Sequence, residues 1–154
     1  MRWVDVGQSR CSIARALSVV GDRWTLLLLR EAFLGATRFE DFHNNTGAAR
    51  HLVAERLGHL VENAVLRRVQ YQDRPARFEY ALTAKGADLY PTILSLLAWG
   101  DRWMLGDQQP SLLVVHEPCG ARVTPEVCCP KCGQRMEPSE THHIVGGRDT
   151  RVPI

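Results

Sequence analysis

Gly47-Ala48-Ala49-Arg50-His51-Leu52-Val53-Ala54-Glu55-Arg56-Leu57-Gly58-His59-Leu60 is the stretch on which the reading of this chain turns. Val53, Leu57, Leu60 and the following Val61 recur at helical spacing, so one face of a helix is apolar. Ala49, Arg50, His51, Ala54 and Glu55 fall on the opposite face. A short polar set at the start of a docked helix is what reading a DNA major groove requires.

Outward from that helix, Leu66-Arg67-Arg68-Val69-Gln70-Tyr71 and Arg77-Phe78-Glu79-Tyr80-Ala81-Leu82 read as two short strands. Asp73-Arg74-Pro75-Ala76 turns between them, with Arg74 at the tip. The same pieces fit an ordinary helix–hairpin part of an α+β domain. The order of all the elements, rather than one motif, favours a winged helix-turn-helix.

Three helices are expected before it. Residues 12–20 place Ala14, Leu17 and Val20 on one face, with Gly21 as the stop. Asp22 can cap residues 23–33, whose Leu26-Leu27-Leu28-Leu29 run is apolar all round and therefore central. Residues 38–43 form a short third helix with Phe39 and Phe42 inward, and Asn44-Asn45-Thr46-Gly47 is a turn. Beyond the wing, Thr83 caps a long helix over residues 84–105, kinked by Pro91 near Ala87. Leu89, Ile93, Leu96, Leu97 and Met104 make one apolar stripe, and Trp99 and Trp103 a second. Core packing would use some of this surface. A homodimer uses all of it and gives two winged helices a rigid spacing. Leu89, Ile93, Leu96, Leu97, Trp99 and Trp103 are the expected interface, extended by Trp3 and Val4.

The 154 residues suffice for one ordinary domain and an appendage. The expected division is a winged helix-turn-helix and dimerisation domain over 1–106, a small β appendage over 112–138 and a loose tail over 139–154. The fold class is thus mainly α with a small β-hairpin wing, plus a zinc-ribbon-like β appendage. No secretory h-region and no apolar run of ~18 residues are seen, which predicts a cytoplasmic chain with no membrane partner. Five cysteines would there stay reduced, which favours metal or thiol chemistry over disulfides. Net charge is only +2, which alone does not suggest nucleic acid. Its distribution says more, because residues 50–77 hold Arg50, Arg56, Arg67, Arg68, Arg74 and Arg77 against Glu55, Glu62 and Asp73.

His116-Glu117-Pro118-Cys119-Gly120 and Cys129-Pro130-Lys131-Cys132-Gly133 are two ligand pairs, each with a two-residue gap and a following glycine. One histidine and three cysteines make a closed tetrahedral zinc site, structural rather than catalytic. His116, Cys119, Cys129 and Cys132 are the expected ligands. His142 or His143 is the alternative to His116, and Cys128 is left over. A redox dithiol at Cys129 and Cys132 is the rival reading. The second ligand pair and the lack of a helix opening at Cys129 argue against it.

Several further segments resemble the HxlR-type bacterial transcription regulators. They are Cys11-Ser12-Ile13-Ala14-Arg15-Ala16-Leu17, Val20-Gly21-Asp22-Arg23-Trp24-Thr25-Leu26-Leu27-Leu28-Leu29-Arg30-Glu31, Arg38-Phe39-Glu40-Asp41-Phe42, Arg56-Leu57, Glu79-Tyr80-Ala81-Leu82-Thr83-Ala84-Lys85-Gly86 and Trp99-Gly100. The resemblance covers about residues 10–105. It implies a MarR-like winged-helix homodimer bound to an inverted-repeat operator, and relatives with a cysteine-bearing extension. Two departures stand out. Ala48-Ala49 replaces a frequent Ile-Ser, leaving Thr46 or Gly47 to cap the reading helix, and Ser12 replaces a frequent proline after the cysteine. The resemblance also makes Cys11 a candidate thiol switch for oxidants or electrophiles. A small buried cysteine is the alternative.

These observations predict a dimeric, sequence-specific DNA-binding repressor, not an enzyme, with double-stranded DNA as partner and zinc as structural cofactor. Arg50 and His51 are expected at base edges beside Ala49 and Ala54. Arg38, Arg68 and Arg77 are expected at phosphates and Arg74 at the minor groove. Arg56 suits either DNA or an internal ion pair. A protein-interaction module of the transcription machinery, which never reads bases, is the alternative.

Overall fold

The computed structural model describes residues 7–151. The expected interface residues Trp3 and Val4 lie outside them. By compactness the chain divides into two units, one ending at Ile93 and the other beginning at Leu94.

The first unit opens with α1 (Ser12–Val20), α2 (Arg23–Phe33), α3 (Phe39–Thr46) and α4 (Arg50–Glu62). Strands β1 (Leu66–Asp73) and β2 (Ala76–Leu82) follow as an antiparallel hairpin, then the single turn α5 (Ala84–Ala87). Asp22 caps α2, its Oδ1 accepting from Trp24 N at 3.0 Å and Thr25 N at 3.2 Å. Leu28 and Leu29 of α2, Phe42 of α3, Val53, Leu57 and Leu60 of α4, and Val65 and Leu66 at the base of the wing form one core, each at most 2% exposed. The 3.6-residue period of α4 thus buries the predicted face. Glu31 is also buried, at 4%. Its carboxylate accepts from Arg30 Nε at 2.7 Å and Asn45 Nδ2 at 2.8 Å, so the buried charge is paired and joins α2 to α3.

Two expectations are corrected here. Neither Thr46 nor Gly47 caps α4. Its N-cap is Ala49, with no side-chain cap. Thr46 instead closes α3, donating from Oγ1 to Phe42 O at 2.6 Å, and Gly47 takes the left-handed conformation at φ 67°. The helix over 84–105 is two helices, α5 and α6 (Tyr90–Trp103), separated at Asp88 and Leu89. Pro91 lacks an N–H, and its ring excludes the carbonyl four residues back, so the helix restarts with proline in its first turn rather than kinking. On α1, Val20 is buried and Leu17 is 42% exposed, so the face they share is covered only in part.

The turn Thr83-Ala84-Lys85-Gly86 clamps the base of the wing. Thr83 Oγ1 accepts from Gly86 N at 3.1 Å and donates to Ala64 O at 2.7 Å, and Lys85 Nζ donates to Asn63 O at 2.7 Å. Gly86 lies so close that a Cβ there would meet Val65 O at 2.1 Å.

In the second unit, β3 (Val114–His116) pairs with β4 (Ala121–Val123), and β5 (His142–Val145) with β6 (Arg148–Arg151). Part of the expected loose tail is therefore a hairpin. Its signal was present in Gly146-Gly147, which supplies two successive positive φ angles of 57° and 78° between short runs.

Candidate nucleic-acid interface and cysteine knuckles

The start of α4 projects Ala49, Arg50, His51 and Ala54 to solvent, while Val53 and Leu57 anchor the helix from behind. The expected base-facing set is therefore together on one exposed face. Arg50 does not extend alone. Its Nη1 donates to Glu40 Oε2 at 2.8 Å and its Nη2 to Glu40 Oε1 at 2.5 Å. The guanidinium also lies 4.9 Å from the centre of the Phe39 ring. Arg50's hydrogen bonds hold the Glu40 carboxyl below its ordinary range. Sequence reasoning missed Glu40 as a partner, because no periodicity links positions on two different helices.

The other basic residues are similarly seated. Arg38, at the N-cap of α3, donates from Nε to Glu79 Oε1 of β2 at 3.1 Å and stacks 5.0 Å from the Tyr71 ring centre. Arg68 lies 4.0 Å from the Phe78 ring centre. Phe78 is two residues along from Tyr80, the register partner of Arg68, so this is a diagonal cross-strand contact. Arg77 and Arg74 are exposed. Gln72 Nε2 donates to Arg74 O at 3.0 Å and Gln70 Nε2 to Asp73 Oδ1 at 3.1 Å, which orders the wing tip. Arg56 is an internal partner. Its side chain is 28% exposed and its Nε lies 3.3 Å from Asp22 Oδ1, tying α4 to the cap of α2.

The expected interface residues divide. Leu89 and Ile93 pack on the core of the first unit. Leu96, Trp99 and Trp103 are 48%, 58% and 63% exposed, and Leu97 is half-buried. Within the second unit Trp99 and Trp103 line an open cleft of about 570 Å³ together with Pro125, Val127 and Met136. Cys11 is exposed at the N-cap of α1, so it is not a buried apolar residue.

Each cysteine segment forms a knuckle. Cys119 N and Gly120 N both donate to His116 O, at 3.1 and 2.9 Å, and His116 Nδ1 lies 3.3 Å from Cys119 Sγ. Gly133 N donates to Cys129 O at 2.8 Å, and the amides of Cys132 and Lys131 face the Cys129 sulfur and lower its pKa. Amides aimed at sulfur are the donor arrangement that a thiolate ligand needs. Yet among the described residues no three His, Cys, Asp or Glu side chains gather as metal ligands. His142 and His143 lie on β5.

A helix-turn-helix with its second helix exposed and an arginine-bearing hairpin beside it defines the winged-helix DNA-binding class. The chain belongs to the HxlR-like helix-turn-helix family, whose model matches residues 19–108. It is 42% identical over 125 residues to Rv3095 of Mycobacterium tuberculosis strain H37Rv, an uncharacterized HTH-type transcriptional regulator. That match covers 81% of this chain and 79% of the relative. The crystal structure of PA1607 superposes with a TM-score of 0.77 at 32% identity, covering 88% of this chain and 94% of that one. The reduced form of the transcriptional regulator YodB from B. subtilis superposes with a TM-score of 0.53 at 26% identity, covering 65% and 100%. The redox regulator HypR in its oxidized form does so at 0.55 and 27%, covering 60% and 96%.

Proposed function

We propose that this chain acts as a homodimeric repressor that reads an inverted-repeat operator through α4 and brackets it with the β1–β2 wing. The family and its relatives are HTH-type transcriptional regulators, so the chain is a DNA-binding regulator and not an enzyme. One observation carries the finer reading. The first turn of α4 exposes Arg50 and His51 beside the small Ala49 and Ala54, on a helix held by a fully buried opposite face. Small neighbours let a helix approach base edges closely, while long ones contact them. In this reading Arg38, Arg68 and Arg77 contact phosphates and Arg74 the minor groove. Leu96, Trp99 and Trp103 supply the apolar surface for the second copy.

The regulatory part of the reading rests on Cys11. It is exposed at the N-cap of α1, where an oxidant or electrophile can reach its sulfur. The redox regulator HypR is known in oxidized and reduced forms, and YodB in reduced and diamide-treated forms. One structural zinc on His116, Cys119, Cys129 and Cys132 completes the proposal. When bound, it would close the two knuckles into one ribbon and supply no catalysis. No helix among the described residues is long and apolar enough to cross a membrane. A cytoplasmic location follows from a DNA target.

Selection of duplexes from a random library with the purified full-length protein tests the central reading. The expected product is a two-fold symmetric site bound well above scrambled DNA at physiological salt. Recovery of no preferred sequence would favour the protein-interaction module instead. Alkylation of Cys11 should weaken binding to the selected site, and Cys11→Ser should abolish that sensitivity.

A further inference from the structure

We propose that Glu40 is a positioning residue for DNA reading, which holds Arg50 end-on and leaves the side edge of its guanidinium for a base. The proposal rests on the reading of Arg50 as a base contact. Arginine carries five N–H donors in one plane. The pair with Glu40 uses one hydrogen on Nη1 and one on Nη2. The edge formed by Nε–H and the other hydrogen of Nη2 points elsewhere, and it has the spacing that engages O6 and N7 of guanine. Phe39, adjacent to Glu40 on α3, backs one face of the same guanidinium. The positioning helix thus supplies a seat, and the reading helix supplies the side chain that occupies it.

Arg38 shows a different arrangement. It gives its Nε to Glu79, so its side edge is already committed. That leaves its end edge, which matches a phosphate and a guanine alike.

The energetics point the same way. Both partners of the Arg50–Glu40 pair are 58% exposed, so screening by water leaves it a small part in fold stability. A carboxylate on a DNA-facing surface also repels phosphates and lowers affinity for every duplex. Its favourable effect is to order a long flexible side chain before DNA arrives, which removes that ordering cost from binding.

The test compares the full-length protein with Glu40→Ala, Arg50→Ala and the double variant. A duplex selected from the random library serves as probe, and a scrambled duplex of equal composition as reference. Loss of a bidentate base contact should lower the selected-to-scrambled affinity ratio of Arg50→Ala roughly five- to 100-fold. Glu40→Ala should lower the ratio about threefold or more, with binding to scrambled DNA unchanged or tighter. The double variant should match Arg50→Ala, because Glu40 acts through Arg50. Glu40→Gln, which keeps the shape and loses the charge, should follow Glu40→Ala, and thermal unfolding should stay unchanged. An unchanged ratio in Glu40→Ala beside a lowered one in Arg50→Ala overturns the positioning role alone. Additive losses overturn it too, and make Glu40 an independent reader. An unchanged ratio in Arg50→Ala overturns the base-reading assignment itself.

Discussion

Arg38 and Glu79 join the helix-turn-helix to its wing: Nε at the N-cap of α3 lies 3.1 Å from Oε1 on β2. The two residues are 41 apart in sequence. Tyr80 N donates to Thr37 O at 2.7 Å beside them, so backbone and side chains register the same two elements. The wing is therefore held in a set relation to the helix-turn-helix. Arg38→Ala should weaken binding to selected and scrambled duplexes alike and reduce the slope of log affinity against log salt by about one, the signature of a lost phosphate contact. A loss confined to the selected duplex would make Arg38 a base contact instead.

The wing tip should give a similar salt signature. Arg74 is exposed in a turn ordered by Gln70 and Gln72. Arg74→Ala should also flatten the salt dependence, by about one unit of slope. An unchanged slope, measured from low to physiological salt, would remove the tip from the interface.

Glu40 titrates with a definite sign. Its pKa lies below the usual 4.5, first because of the hydrogen bonds from Arg50. A depressed carboxyl stabilises the pair above its unfolded-state pKa, and that stabilisation is lost as pH falls through the folded value. The pair is thus intact at neutral pH. A carboxyl-detected NMR titration should find Glu40 below the other exposed glutamates, and Arg50→Ala should return it to their range. A Glu40 midpoint already in that range in the native protein would refute the pairing.

Gly86 tests the clamp beneath the wing. A Cβ there would meet Val65 O at 2.1 Å, while one at Gly58 in α4 would meet nothing within 4 Å. Gly86→Ala should cost roughly 1–3 kcal/mol, as for overpacking in a closed site. Gly58→Ala should instead be neutral or stabilising by up to about 1 kcal/mol, because alanine favours a helix interior. Urea unfolding of the two variants reads both, and equal effects would show that the close approach does not govern stability.

The knuckles should hold metal. Cys129→Ser should release one zinc and loosen residues 112–138, with DNA binding surviving in part on the separate core of the first unit. Elemental analysis below ~0.2 zinc per chain would refute the site, because a structural zinc approaches full occupancy. If zinc stays bound in His116→Ala, the fourth ligand moves to His142 or His143.

Periodicity and caps alone determined most of the first unit. Val53, Leu57 and Leu60 repeat at helical spacing, Asp22 precedes an apolar run, and Arg74 stands between two strand-like runs. Each is a local signal that the backbone must satisfy within a few residues. The winged-helix order and the exposed turn of Arg50 and His51 were legible for that reason. The tertiary structure alone decided how the basic side chains are held. Glu40, Phe39, Tyr71 and Glu79 reach their arginines from other elements, at separations that no period encodes. It also decided that Leu89 and Ile93 cover the core while Trp99 and Trp103 stay exposed, although all four lie in one apolar stretch. An apolar stripe states only that surface must be buried. Which surface covers it depends on the packing of elements distant in sequence.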